Sequence, residues 1–355
     1  MDFLALLRKE AITVRRNLGL FVVLLVLLPA MLAGVTGVYQ HTIPEDIPVG
    51  VVAADEETTE DDLAIVRAGV TFFATSVDYD SPDAAREGLQ REEVYLVVVV
   101  PPGLMTEGEP ANITIVSDQT IVPFEEPANV TTSIVDSQLD RQLPSDVSVE
   151  HERLGEPRAL SEYLIPVGLV AFVVIYGLVF VPYQVRNERL VLDRLQTTSS
   201  LETVLASKLV FYGAAVAVPA FVVGLTALYM GYEVAALTPF TFLTIFLTFL
   251  MLAATGLAIL FALGLDRSAL FVNVGLVFGI VALSGLLYPV GFFSTTEKVI
   301  ARALPTHYAG VTTRSAMLRD TPMSLYTDYL LFLIGATVLA LIALQLALIH
   351  YRRRR

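Results

Sequence analysis

The side chains that could perform chemistry are few in this chain, and their spacing does not form a catalytic site. The four histidines, His41, His151, His307 and His350, lack the spacing of metal ligands, and there is no cysteine. No Gly-x-x-x-x-Gly-Lys-[Ser/Thr] phosphate loop occurs, so we do not expect the chain to hydrolyse ATP itself. No serine or aspartate lies in a recognisable nucleophile motif. We therefore expect no enzymatic activity, no metal and no cofactor of the chain's own.

One polar stretch, RNERLVLDRLQTTSSLETVLASK at residues 186–208, stands out because an apolar run lies on each side of it. Its start predicts a helix in which Arg189 and Asp193 pair at i, i+4, and the hydroxyl groups of TTSS interrupt that helix. Ser199 stands three residues before Glu202, which predicts a capping box and a second helix. The apolar residues within the stretch favour a helical elbow that docks on another surface. The alternative is a solvated hairpin packed against lipid headgroups.

The composition predicts a polytopic α-helical membrane protein. Of the 355 residues 55% are hydrophobic, and the mean hydropathy is +0.66. A bilayer core of about 30 Å is crossed by about 20 apolar residues of helix. None of the six segments of that kind has a charged residue near its centre, which argues against an ion-coupled transporter. The predicted spans are 18–39, 162–183, 208–230, 240–264, 268–291 and 328–350.

The lysines and arginines predict the orientation. They cluster before the first span, around residues 186–208 and at residues 352–355, and six spans would place all three clusters on one side. Both termini are therefore expected in the cytoplasm, with 351–355 as a basic tail. Residues 292–327 fit less well, because this segment should be external and carries Lys298, Arg302, Arg314 and Arg319.

The first apolar run is expected to remain as a span rather than to be cleaved as a signal peptide, because its apolar core is longer than the usual 7–15 residues. Before it, residues 1–17 are predicted to form an amphipathic elbow helix that lies in the cytoplasmic interface.

Residues 40–161 are predicted to be an inserted extracytoplasmic α/β domain. Positions 41–160 hold 25 acidic and 6 basic residues, and strand and helix patterns alternate along them. That acidity, with only three lysines against twenty arginines, favours a halophilic source. Asn112 and Asn129 each begin an Asn-x-Thr sequon and are candidate glycosylation sites.

Four stretches resemble the type-2 permease subunits of ATP-binding-cassette (ABC) exporters that carry a large external domain between the first two spans. FLALLRKEAITVRRN is similar to the family's amphipathic helix, and the segment from IPVGVVAAD to NITIVSDQT is similar to its external domain. ERLVLDRLQTTSSLETVLASKL is similar to its cytoplasmic loop. LSGLLYPVGFF with ALPTHYAGVTTRSAM is similar to its late Ser-Gly and Leu-Pro-Thr-His pattern.

This resemblance implies a permease driven by a separate ABC ATP-binding subunit, which binds the ATP and docks on the cytoplasmic coupling loop 184–207. The implied partners also include a second permease copy, identical or related, and membrane lipids, but no nucleic acid. Residues 292–327 would form an external re-entrant region whose basic residues lie at the outer headgroups. An external binding or adhesion module without transport is the alternative. The implied ATPase-coupling residues are Glu188, Arg189, Asp193, Arg194, Leu195 and Glu202.

Overall fold

The computed structural model describes residues 46–71, 74–104, 111–124, 147–190, 200–319 and 321–354. They form a sheet domain joined to a bundle of apolar helices. The strands are β1 Ile47–Ala53, β2 Ala74–Asp78, β3 Leu96–Val100, β4 Ala111–Asp118 and β5 Val147–Leu154. The helices are α1 Glu60–Val70, α2 Pro82–Gln90, α3 Leu160–Asn187, α4 Leu201–Tyr229, α5 Pro239–Ala262, α6 Arg267–Leu283, α7 Thr295–Ala303, α8 Pro305–Leu318 and α9 Thr327–Arg354.

The sheet has the strand order β2-β1-β3-β4-β5. Strand β1 pairs in parallel with β2 and β3, β4 pairs in parallel with β5, and only the β3–β4 pair among these is antiparallel. Strand β3, with the sequence LVVVV, is buried on both faces, as expected for a central strand with helices on both sides. The described strands and helices therefore form an α/β arrangement, as predicted, and the sheet is largely parallel.

Both helices of this domain begin where their capping residues predict. The Thr59 side chain accepts a hydrogen bond from the Asp62 amide, and the Asp62 carboxylate accepts one from the Thr59 amide, which is a capping box. At α2 the Ser81 hydroxyl accepts from the Ala84 amide, and Pro82 occupies the first helical position. Helix α1 packs on one face of the sheet and α2 on the other.

Four described helices are long and apolar enough to cross a membrane: α3, α4, α5, and α9 with the preceding turn from Met323. Helix α6 is apolar but has only 17 residues, which is about 26 Å of helix. It ends well before the predicted residue 291, because Gly285 takes a left-handed φ of 68° directly after the helix cap at Ser284. The predicted first span, 18–39, lies outside the described residues, as does the elbow helix at 1–17.

Two prolines account for irregular turns within the spans. Pro182 has no amide hydrogen, and the preceding residues Tyr176–Phe180 form a π-helical turn in which the Val181 amide donates to the Tyr176 carbonyl. Pro219 likewise leaves a carbonyl one turn earlier without its amide partner, and α4 is interrupted at Val216. Pro29 lies outside the described residues.

The π-helical turn of α3 packs closely on α5 at Gly256. A Cβ atom at this glycine would lie 2.8 Å from the Leu178 carbonyl oxygen and 2.9 Å from the Pro182 ring. Since the first of these is a backbone atom, a larger residue forces the two helices apart. Gly335 in α9 provides the contrast, because no atom beyond its own stretch of helix lies within 4 Å of the position its Cβ would take.

Gly256→Ala is expected to lower the free energy of unfolding by about 1–3 kcal/mol, because overpacking displaces α3 from α5. Gly335→Ala is the matched control and should leave stability unchanged or raise it by up to about 1 kcal/mol through helix propensity. Thermal unfolding of the purified full chain in detergent measures both. Equal stability of the two variants would contradict the close packing of α3 on α5.

Candidate functional site

The first candidate site is the end of the helix bundle where α3 ends, α4 begins and α9 ends, here called the loop end. The Lys208 ammonium on α4 lies 2.6 Å from the Glu188 carboxylate after α3. The Glu202 carboxylate near the start of α4 accepts a hydrogen bond from Arg352 on α9. Two ion pairs therefore connect α4 to the end of α3 and to the end of α9.

The structure describes three of the six coupling residues predicted from the sequence. Glu188 and Glu202 form the ion pairs of the loop end, whereas Arg189 is exposed. Its neighbour Leu190 is 72% exposed, which leaves an arginine and a leucine side by side on an accessible surface. The other three residues, Asp193, Arg194 and Leu195, lie outside the described residues, so the Arg189–Asp193 pair stays a prediction.

Two details of the predicted elbow differ at the residues that the structure describes. Helix α4 starts at Leu201 with Ser200 as its cap, whose hydroxyl accepts from the Thr203 amide 3.2 Å away. Ser200 is therefore the cap in place of the predicted Ser199, which lies outside the described residues, and the Glu202 carboxylate accepts a hydrogen bond from Arg352. Three of the apolar residues that suggested a docking face, Leu201, Val204 and Leu205, are buried within the bundle's own core. The other two, Leu192 and Leu195, lie outside the described residues.

The second candidate site was missed by sequence reasoning and lies where the sheet domain meets the helices. Glu92, in the turn after α2, accepts from Arg314 Nε at 3.0 Å and from Arg314 Nη2 at 2.6 Å. Arg319 Nη2 lies 3.4 Å from the same carboxylate and 2.8 Å from Asp118. We call these four residues the junction cluster. Each of their side chains is at most 6% exposed, and their charges balance.

The backbone at Glu92 explains why this residue carried no signal in the sequence. The Glu93 amide donates to the Gly88 carbonyl and the Glu92 amide to the Leu89 carbonyl, which is the Schellman motif that closes a helix. Its left-handed position normally holds glycine, yet here Glu92 has a φ of 57°. A strained charged residue at this position suggests that its side chain has a role beyond the turn.

Burial alone would raise the pKa of the Glu92 carboxyl group. The guanidinium groups of Arg314 and Arg319 more than offset that effect and lower the pKa to about 2. The carboxylate therefore stays ionised in the folded protein at any physiological pH.

Further contacts join the sheet domain to the same helices. The Arg91 guanidinium binds Asp328 at the start of α9, and Tyr326 and Tyr329 donate their hydroxyl hydrogens to the Gln90 and Arg91 carbonyls. On α7, Lys298 donates to the Asp46 carbonyl at 2.7 Å and Arg302 to the Glu93 carbonyl at 3.1 Å.

The four basic residues of segment 292–327 therefore contact the sheet domain. The expectation that they lie at the outer headgroups is wrong for Arg314 and Arg319, which are nearly fully buried against Glu92 and Asp118. Lys298 and Arg302 also donate to carbonyl groups of the sheet domain, and for these two residues the headgroup position stays a prediction.

Of the two candidate glycosylation sites, Asn112 lies on β4 with an exposed side chain. Its amide nitrogen donates to Glu150 on the neighbouring strand at 2.9 Å. Asn129 lies outside the described residues.

Comparison with protein families gives one result that covers nearly the whole chain. The model of a family described as "ABC-2 family transporter protein" matches residues 18–344. No curated protein and no solved structure gives a match.

Glu92→Gln is expected to lower the free energy of unfolding by roughly 3 kcal/mol or more, because it leaves Arg314 buried without its carboxylate. Glu87→Gln, on the exposed face of α2, is the matched control and should shift stability by less than about 0.5 kcal/mol. Thermal unfolding of the full chain in detergent measures both. A small effect at Glu92, similar to that at Glu87, would show that the junction does not depend on this charge.

The junction cluster also predicts a pH dependence. Because the pKa of Glu92 is lowered on folding, its stabilising contribution is complete above its unfolded pKa of about 4.3 and is lost as the pH falls toward about 2. The stability difference between the wild type and Glu92→Gln should be constant from pH 7 to 5 and shrink below that range. Unfolding curves across pH measure the difference, and a gap that persists unchanged at pH 2 would contradict the ionised state.

Proposed function

Since the chain belongs to the ABC-2 family of transporter proteins and is a permease subunit of an ABC transporter, we propose that it serves an exporter powered by a separate ATP-binding subunit. The observation that carries the proposal is the family match over residues 18–344, together with the long apolar helices of the described chain. The absence of a phosphate loop from the sequence agrees with ATP hydrolysis in another subunit.

The proposed docking surface is the coupling loop 184–207, with Arg189, Asp193, Arg194 and Leu195 as the contacting residues. Arg189 and Leu190 are exposed at the loop end and available to a partner. Glu188 and Glu202 have a different role in this proposal. Because they form ion pairs within the bundle, they transmit displacement of the loop to α4 and α9.

Two helices connect the loop end to the junction cluster. Helix α3 ends next to Glu188, and near its start the Tyr163 ring lies 5.9 Å from the Arg314 guanidinium. Helix α9 starts next to Asp328, which binds Arg91, and ends with Arg352, which binds Glu202. A displacement of the loop end by ATP-driven closure of the partner would therefore reach the sheet domain along these helices.

The distribution of basic residues supports a cytoplasmic loop end and an extracytoplasmic sheet domain. Arg186, Arg189, Arg267 and Arg352–Arg354 belong to the loop end, where positive residues favour the cytoplasm. At the opposite end the basic residues of 292–327 bind the sheet domain, so they do not count as evidence that this end faces the cytoplasm. Both termini would then be cytoplasmic, and the exposed Asn112 would be accessible to glycosylation in a cell that performs it.

The proposed transporter contains two permeases, identical or related, each bound to one ATP-binding subunit. Membrane lipids surround their apolar faces. A hydrophobic or amphipathic cargo suits the spans, because the predicted spans have no charged residue near their centres.

Arg189→Ala and Asp193→Ala are expected to reduce co-purification with the ATP-binding subunit several-fold, because each removes a charged contact from the docking surface. The partner is identified as the product of a neighbouring gene with a phosphate loop. Arg267→Ala is the matched control, since Arg267 is an exposed basic residue at the same end of the bundle but outside the loop. Membrane insertion should be unchanged in all three variants. Unchanged association and unchanged transport-coupled ATPase activity in the loop variants would contradict the docking assignment.

A further inference from the structure

A cavity of about 560 Å³ lies between the sheet domain and the helices, on the side of the junction cluster where α7 ends and α8 and α9 begin. This volume is in the range of small-molecule sites. Its walls combine aromatic side chains with charged ones from both parts of the molecule. The lining residues are Val77, Tyr79, Glu92, Glu93, Arg302, His307, Tyr308, Asp328, Tyr329 and Phe332.

Aromatic rings form the wall on the helix side. The ring centroids of Tyr308 and Tyr329 are 4.8 Å apart at an interplanar angle of 72°, and those of Tyr308 and Phe332 are 4.7 Å apart. Tyr79 lies on the sheet-domain side, and burial raises the pKa of its hydroxyl to about 12, so it remains a hydrogen-bond donor. Rings arranged in this way attract organic ammonium groups through their π-faces.

The charges at the cavity are divided between two sides. Among the described residues, Glu93 and Asp328 share one basic partner, the Arg91 guanidinium, so two carboxylates face one positive charge on this side. The Tyr329 hydroxyl lies 3.3 Å from the Glu93 carboxylate and adds no charge. That guanidinium lies over the Tyr329 ring, 4.7 Å from its centroid, a distance typical of a cation–π contact. Arg302 is exposed and uses one nitrogen on the Glu93 carbonyl, so its other donors provide a positive side. Glu92 adds no free charge because Arg314 and Arg319 neutralise it.

The cavity also lies next to the start of an apolar span. Phe332 lines it and is 43% exposed, and the adjacent Leu331 is 61% exposed on the apolar surface of α9. A molecule with its head in the cavity could therefore extend a hydrocarbon chain along α9 without crossing a charged surface. A head that carries both an ammonium and an anionic group fits the two charged sides and the aromatic wall. A hydrocarbon chain attached to that head fits the apolar surface of α9.

We propose that this cavity binds the zwitterionic head of an amphipath, with the ammonium group beside Glu93 and Asp328, the phosphate beside Arg302 and the hydrocarbon chain along α9. The binding requires no ATP-binding subunit. A failed test of docking on loop 184–207 would therefore leave this proposal unaffected, and a failed test of the cavity would leave the docking proposal unaffected.

The chain contains no tryptophan, so Phe332→Trp creates a single fluorescent reporter in the cavity wall of the full-length protein. The matched control reporter is Phe221→Trp, which places the tryptophan on the exposed face of α4, where Phe221 is 51% exposed. Both proteins are titrated with dodecylphosphocholine in maltoside micelles. The emission of the cavity reporter should change and saturate, whereas the α4 reporter should show only gradual, non-saturating change.

Arg302→Gln and Asp328→Asn, each in the reporter protein, should raise the half-saturating concentration at least about fivefold, a loss of about 1 kcal/mol. Glu87→Gln should not change it, and unaltered thermal unfolding of each variant excludes a folding defect. Phosphocholine without a chain distinguishes the source of the ligand. If it binds far more weakly than dodecylphosphocholine, the site selects a membrane amphipath. If it binds equally well, the placement of the hydrocarbon chain along α9 is contradicted, and the site selects a soluble zwitterion of the same head chemistry.

Three outcomes would overturn the proposal. One is an identical response of the two reporters, which would mean general partition into the micelle. Another is equally tight binding of dodecyltrimethylammonium or of dodecyl phosphate, since either would remove the requirement for both charges. The third is unchanged affinity in both Arg302→Gln and Asp328→Asn.

Discussion

The packing of the sheet domain against the helix bundle depends on the ion pairs that the buried Glu92 carboxylate forms with Arg314 and Arg319. A buried ion that loses its partner destabilises a protein by several kcal/mol, so these residues must meet for the chain to reach this fold. Asp118 completes the set on the sheet. The cluster is neutral as a whole, which allows four charged side chains to lie in an interior where an isolated charge could not.

Because of this cluster, the sheet domain is part of the same folded unit as the helices, rather than a module on a flexible connection. Arg91, Tyr326 and Tyr329 extend the contact to α9, and Phe292 inserts into the core under the sheet next to Phe124. Helices α3 and α9 then join this region to the loop end. The proposed amphipath cavity lies beside the cluster, so occupation of the cavity and movement of these helices would affect each other.

Much of the local structure was predictable because it depends on neighbours in the sequence. The capping of α1 by Thr59, the start of α2 at Pro82 and the buried strand LVVVV all follow from short-range rules. The prediction of the loop end was less accurate, because it considered only a local partner for the Glu202 side chain. The sequence pattern indicates a hydrogen bond to the backbone of the same helix, but it does not indicate the contact with Arg352, which is 150 residues away.

By itself, the amino-acid sequence determined that this chain is an apolar helical membrane protein with an α/β domain and no phosphate loop, since hydropathy, strand patterning and motifs are local properties. Only the tertiary structure decided which charges are paired. Glu92 and Arg314 are 222 residues apart, and Glu92 takes a backbone conformation usually left to glycine. The physical reason is that burial, which makes an ion pair decisive, exists only after distant segments have packed together.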